Sequence, residues 1–164
     1  MRSPQEINTA GREFARRYIN TLCELRLQPG IRQRVELIMS DFADEHPNLR
    51  ASYISREVDE AYFPVSEFPP EALTQPSLQG LALEGEQLYE FISFSQGFRS
   101  EVMDLNSIVD IQEVWMEPKQ DLPFLLRISI LHRFPAATIL IANSGEAQDM
   151  AREFIGRLKY LRGW

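Results

Sequence analysis

Two apolar runs, FLLRISIL (residues 124–131) and ATILIA (137–142), are followed by a stretch that places Ala147, Met150, Ala151, Phe154, Ile155, Leu158 and Leu161 at helical spacing. The runs are rich in Ile and Leu and read as strands buried on at least one face. The stripe that follows is apolar along one side of a helix, and such a helix must lie on something. The nearest apolar surface is the sheet those two strands belong to. The tail therefore fixes an architecture, a sheet closed by a helix, while supplying no chemistry.

Working outward, the preceding segments read as short strands. LQGLAL (78–83) and QLYEFISF (87–94) flank Glu84-Gly85-Glu86, a hairpin turn, and Ser95-Gln96-Gly97 is a second turn. FRSEVMDL (98–105) follows, and VDIQEVWM (109–116) alternates cleanly before the turn at residues 117–121. Six short strands joined by tight turns predict an antiparallel meander, with Asn143 and Glu146 at capping-box spacing opening the last helix.

The first part of the chain is different. Ile7, Ala10, Phe14, Tyr18, Leu22 and Leu25 predict a helix over 4–27, which Gly11 weakens by up to ~1 kcal/mol relative to Ala. Pro29-Gly30 stops it. A second helix is predicted over 31–45 from Ile31, Val35, Ile38, Met39 and Phe42, ending at His46-Pro47. Residues 48–63 fit a helix through Leu49, Tyr53, Ile54, Val58, Ala61 and Tyr62, although Tyr53, Ile54 and Val58 would also suit a strand; the helix is favoured. Four prolines in residues 64–77 make that segment an extended connector and the best domain boundary. The expected organisation is a helical region (1–63), a Pro-rich connector (64–77) and an antiparallel β domain with a C-terminal helix (78–164). The fold class is α+β: N-terminal helices, then a bent antiparallel sheet or part-barrel with a C-terminal capping helix.

Within the β region, FRSEVMDLNSIVDIQEVWM (98–116) carries a strand into a corner, Leu105-Asn106-Ser107-Ile108, and out into another strand. With the two strands and helix that follow, residues 78–162 resemble bacterial members of the pleckstrin-homology-like (PH-like) superfold. The resemblance is one of element pattern and excludes the helical N-terminal half. It implies a protein–protein module, with partners docking at a sheet edge or beside the C-terminal helix. Phosphoinositide-binding members carry Lys and Arg around the first hairpin; Glu84, Glu86 and Glu90 stand there in this chain, which argues against a phosphate headgroup.

The chain has 164 residues and a formal charge of −7, from 24 acids against 17 bases. Residues 1–63 are nearly balanced, nine Arg against ten acids, so most of the acidity, eight bases against fourteen acids, lies in residues 64–164. Such a charge is repelled by nucleic acid and anionic lipid unless a local basic patch exists. No apolar run is long enough to span a membrane, and the N-terminal residues do not read as a secretory signal. The single cysteine, Cys23, allows no internal disulfide and reads as a small buried hydrophobe. Together these features point to the cytoplasm.

No spacing suits a metal, cofactor or nucleophile. His46 and His132 are the only histidines, and neither belongs to a metal motif. No catalytic residue, cofactor or metal is therefore expected. Arg127 and Arg133 are six residues apart and would share a strand face, where an anion could sit between them; solvated turn charges are the simpler reading. Arg12, Arg16 and Arg17 form a basic cluster on the first helix. Residues 31–62 could form a helix-turn-helix, but its second helix would carry Glu57, Asp59 and Glu60 against Arg56, the wrong sign for phosphate. Trp164 either folds back onto the last helix or anchors a partner. The expected function is a non-enzymatic protein-interaction module or assembly adaptor, with Trp164, Arg127, Arg133, Arg12 and Arg16 as candidate contacts. The alternatives are a small acidic chaperone or immunity-type protein for a secreted or toxic partner, and a nucleic-acid-binding regulator using the helical half. A protein partner is expected; self-association is open.

Overall fold

The computed structural model describes residues 9–25, 27–56, 77–94, 97–116, 125–133, 137–142 and 144–164. Helices α1 (Thr9–Leu22) and α2 (Pro29–Glu45) precede strands β1 (Ala51–Ser55), β2 (Ser77–Glu84), β3 (Gln87–Phe94) and β4 (Gly97–Asp104). A 3-10 turn, Leu105–Ser107, leads into β5 (Ile108–Met116), β6 (Leu125–His132), β7 (Ala137–Ala142) and α3 (Gly145–Arg162). The strands form two antiparallel sheets, ordered β1-β2-β3-β4 and β5-β6-β7. The architecture is α+β as expected, and the sheets do not close into a barrel.

The predicted corner joins the two sheets. Asp104 caps its turn, the carboxylate accepting the Asn106 N–H at 2.8 Å. Leu105 and Ile108 drop into the core on either side. The inner faces of both sheets meet in one apolar cluster that includes Tyr53, Leu81, Leu88, Leu126, Ile128 and Leu140. Helix α3 lies against β1, β7 and the corner turn. All seven residues of the predicted stripe reach that cluster: Ala151, Phe154, Ile155 and Leu158 are buried, and Ala147, Met150 and Leu161 are partly so. The N-cap is Ser144, one residue later than expected, and its hydroxyl accepts the Ala147 N–H at 3.2 Å; Asn143 lies outside the described residues. Gly163 ends the helix at φ +88°, a conformation glycine adopts without a Cβ clash.

Residues 51–55 are a strand, not the helix favoured from sequence, and β1 pairs with β2 from Ala51↔Leu83 to Ser55↔Gln79. Tyr53 decides this. It is fully buried beside Phe154, and its hydroxyl donates to the Ile141 carbonyl at 3.2 Å. The Ser55 hydroxyl reaches the same carbonyl at 3.4 Å. A hydrogen-bonded strand thus links the two sheets at the side away from the corner. Residues 57–76, which include most of the connector, lie outside the described residues.

The outer face of the first sheet is covered by the helical hairpin. Phe14, Tyr18, Val35, Met39 and Phe42 pack on Leu78, Ala82 and Phe91. Gly80 in β2 makes room for this: a Cβ there would lie 2.7 Å from the Tyr18 ring. The Tyr18 hydroxyl bonds Ser93 Oγ at 2.6 Å, so a polar group sealed under the helix has its partner. Burial of the phenol pushes its pKa well above the ordinary range.

Gly11 is also required by packing. Its N–H donates to the Pro47 carbonyl at 3.1 Å, and a Cβ would overlap the carbonyl oxygen of His46. The helix-propensity cost of this glycine is the condition for α1 to cross the end of α2. Cys23 is exposed in the turn after α1, contrary to the buried position expected, because the helix ends at Leu22 and the apolar stripe resumes at Leu25.

Two Gly→Ala substitutions should therefore have opposite signs. Gly11→Ala should destabilise by ~1–3 kcal/mol through overpacking. Gly156→Ala, on the exposed side of α3 with nothing near the added methyl, should stabilise by ~0.4–1 kcal/mol. Urea unfolding of both variants measures the two signs; a stabilising Gly11→Ala would show that the α1–α2 crossing is not as described.

Candidate interaction surface

α2 rises over β3 and β4 and leaves a groove of about 350 Å³, lined among others by Ile38, Phe42, Tyr89, Phe91 and Val102. The floor is aromatic. Phe42 meets Phe91 edge-on at 4.9 Å and Tyr89 edge-on at 5.1 Å, and the His46 ring lies 4.8 Å from Tyr89. His46 ends α2 as expected, its N–H donating to the Phe42 carbonyl at 2.8 Å. Its imidazole Nδ1 is 2.8 Å from Glu84 Oε1.

The rim is acidic: Asp41 and Glu45 line the groove, with Glu84 behind His46. Tyr89 senses this field. Partial burial raises its pKa first, and the charges of Glu84 and Glu45 raise it further.

β4 borders the groove and is the edge of its sheet, hydrogen-bonded to β3 alone among the described strands. Natural edges are often blunted by Pro, charged side chains or a bulge. β4 (GFRSEVMD) has no Pro or Lys and its register with β3 is unbroken from Gly97↔Phe94 to Asp104↔Gln87, but it carries Arg99 and Glu101. Val102 on this strand is 55% exposed, and Leu37 of α2 is 68% exposed.

The sequence-predicted contacts are dispersed. Arg12 and Arg16 come together in a second cleft of about 360 Å³ between α1 and α2, opposite Ser40, Ala43 and Asp44; Arg16 also lies 3.8 Å from Glu13. Arg127 stands on β6 between Val114 and Ile141. Arg133 follows the end of β6, its N–H bonded to the Ser107 carbonyl at 2.9 Å. Six strand residues span ~20 Å, so these two arginines do not bracket one anion. Trp164 folds back: its N–H donates to the Lys159 carbonyl at 2.9 Å, and the Arg162 guanidinium sits 5.0 Å from its ring centre. Half of its surface remains exposed.

Sequence reading missed the groove, although two signals were present. Leu37 falls off the apolar stripe of its helix, and the alternation in residues 98–105 is blurred. An edge strand needs only one neighbour, so its pattern is weaker.

Among the described residues, Ser107 and His132 form a Ser–His contact within a wider network. His132 Nδ1 is 3.2 Å from Ser107 Oγ, and Nε2 is 3.1 Å from Thr138 Oγ1. The Ser107 hydroxyl donates to the Asp104 carbonyl at 2.7 Å, so its proton is directed away from the ring. A nucleophile needs that proton passed to the base. Burial holds the His132 pKa below its ordinary value, with the Glu101 charge opposing in part. Among the described residues no group of three or more His, Cys, Asp or Glu is arranged to hold a metal ion, and no helix is long and apolar enough to cross a membrane. In comparisons with known proteins, the chain matches no family model and no curated sequence.

Among the described residues, Glu90 is the carboxylate sealed inside the sheets. It is 6% exposed, faces Glu101 across the β3–β4 ladder, and accepts a hydrogen bond from Gln79 Nε2 at 3.0 Å. Burial raises its pKa, while the Gln79 bond and the Arg99 charge partly offset this. The folded state therefore holds this proton more tightly than the unfolded chain. Stability falls as pH rises from the ordinary carboxylate range through the raised value, and the penalty is complete above it. Glu90→Gln keeps an acceptor for Gln79 and removes the charge. It should raise the melting temperature at pH 7, by ~2–4 °C for each 1 kcal/mol gained, and the advantage should shrink as pH falls through that window. Thermal scans at pH 7, 5 and 4 check this; an advantage that grows on acidification would contradict it.

Proposed function

We propose that this chain is a non-enzymatic protein-interaction module, an adaptor within an assembly, and that its docking surface is the β4 edge with the adjoining α2–β4 groove. The observation that carries the reading is a regular edge strand, hydrogen-bonded on one side among the described strands, beside an aromatic floor and carrying exposed Val102. Unpaired backbone donors and acceptors next to apolar side chains are the combination by which proteins add a strand from a partner. The reading includes PH-like membership for residues 78–162. It is supported by the strand–corner–strand passage at Leu105–Ser107 and by the terminal helix laid over the sheets. A cytoplasmic setting is part of the same proposal, in keeping with a single, unbridged cysteine. A chaperone role would use the same surface, since the acidic rim suits a basic client.

A photo-crosslinking residue placed at Val102, and in a control chain at the comparably exposed Val109, tests the surface in cells. The expected result is a protein adduct, second copies of the chain included, formed from position 102 and reduced about tenfold by Ile38→Asp, which puts a charge into the groove beside it. Equal yields from both positions, or none from 102, would remove the assignment.

A further inference from the structure

The β4 edge is complementary to itself. If two copies extend one sheet about a two-fold axis perpendicular to it, residues facing each other across the axis must lie on the same face. Faces alternate along a strand, so the numbers of facing residues must sum to an even value. Four registers then centre on the middle of β4, at Arg99, Ser100, Glu101 or Val102. Centring on Arg99 sets two guanidinium groups opposite each other, and centring on Glu101 sets two carboxylates opposite each other. Centring on Val102 leaves Arg99 and Glu101 without a charged partner. Centring on Ser100 sets Arg99 against the second copy's Glu101 twice, on one face. On the other face it sets Phe98 against the second copy's Val102 twice. Opposite charges and aromatic–β-branched pairs directly across a ladder stabilise it, and like charges oppose it.

We propose that two copies of this chain pair antiparallel along β4 with the axis at Ser100. The proposal rests on the reading of this edge as the docking surface and identifies its occupant. The exposed positions agree: Arg99, Ser100, Glu101 and Val102 are all solvent-accessible. The α2 helices of the two copies would lie on the same side of the joined sheet, since α2 borders the groove beside β4 in each. The edge at β5 offers no such match, since IVDIQEVWM carries Asp110 and Glu113 and no base. Asp41 and Glu45 of both copies fall on the α2 side of the joined sheet, and their like charge opposes the association.

Sedimentation equilibrium of the full chain from micromolar to submillimolar concentration should give a monomer–dimer equilibrium. Arg99→Glu or Glu101→Arg alone replaces two attractive pairs with two repulsive ones and should weaken the dimer about tenfold or more. The double variant Arg99→Glu/Glu101→Arg restores both pairs and should return the constant to near the original. Circular dichroism of each variant establishes that it folds, because the Arg99 charge also acts on the buried Glu90 and Glu101 faces it across the ladder. A chain monomeric throughout, a dimer indifferent to the single swaps, or a double swap without rescue each overturns the proposal. A monomer whose position 102 still crosslinks a different protein refutes self-pairing and leaves the interaction module standing; a monomer that crosslinks nothing removes both.

Discussion

Two sheets and one helix share a single apolar interior, and none of the three can bury its inner face without the other two. The corner at Leu105–Ser107 turns the chain from one sheet into the other, with Leu105 and Ile108 buried on either side. On the side away from the corner no ladder joins β1 to β7. There Tyr53 and Ser55 reach the Ile141 carbonyl, and α3 lies over the seam. Phe154, Ile155 and Leu158 take the place that further strand pairing would fill in a closed barrel. Apolar burial of this extent, at ~25 cal/mol per Å², is what holds a helix against an open seam.

The first sheet has a second obligation, because both of its faces are covered. Its inner face belongs to the shared core and its outer face to the α1–α2 hairpin. Small residues settle the spacing on the outer side. Gly80 admits the Tyr18 ring, and Gly11 admits the His46–Pro47 backbone. The hairpin is therefore fitted to the sheet through close contacts rather than laid loosely upon it. Its far end, at Phe42 and His46, becomes the wall of the groove beside β4.

That wall borders one strand edge. β1 is tied toward β7 through side chains and helix, while β4 is hydrogen-bonded on one side alone among the described strands and lies next to the groove. The chemistry on offer there is backbone hydrogen bonding, apolar burial and charge. The only serine–histidine contact described is held within a structural network between the corner and β7. The arginines singled out in the sequence lie on three separate parts of the surface, and only Arg12 and Arg16 share a cleft. An interaction protein is the reading in keeping with this distribution.

Periodicity and turn residues are written locally, so the sequence by itself determined most of the regular elements. The α3 stripe, the β2–β3 hairpin turning at Gly85, the Leu105–Ile108 corner and the six later strands could all be read from spacing. Residues 51–55 are too short for a period to separate strand from helix. Pairing with β2 and the burial of Tyr53 against Phe154 decided for the strand. Gly11 read as a weakness because the backbone it must clear lies 35 residues away at His46. Glu90 read as one acid of a charged hairpin, and only the stacking of the sheets put it inside. The match between Arg99 and Glu101 was present in the string throughout. It acquired meaning only when tertiary structure left β4 at an edge, because complementarity between strands acts across space while sequence order records only neighbours along the chain.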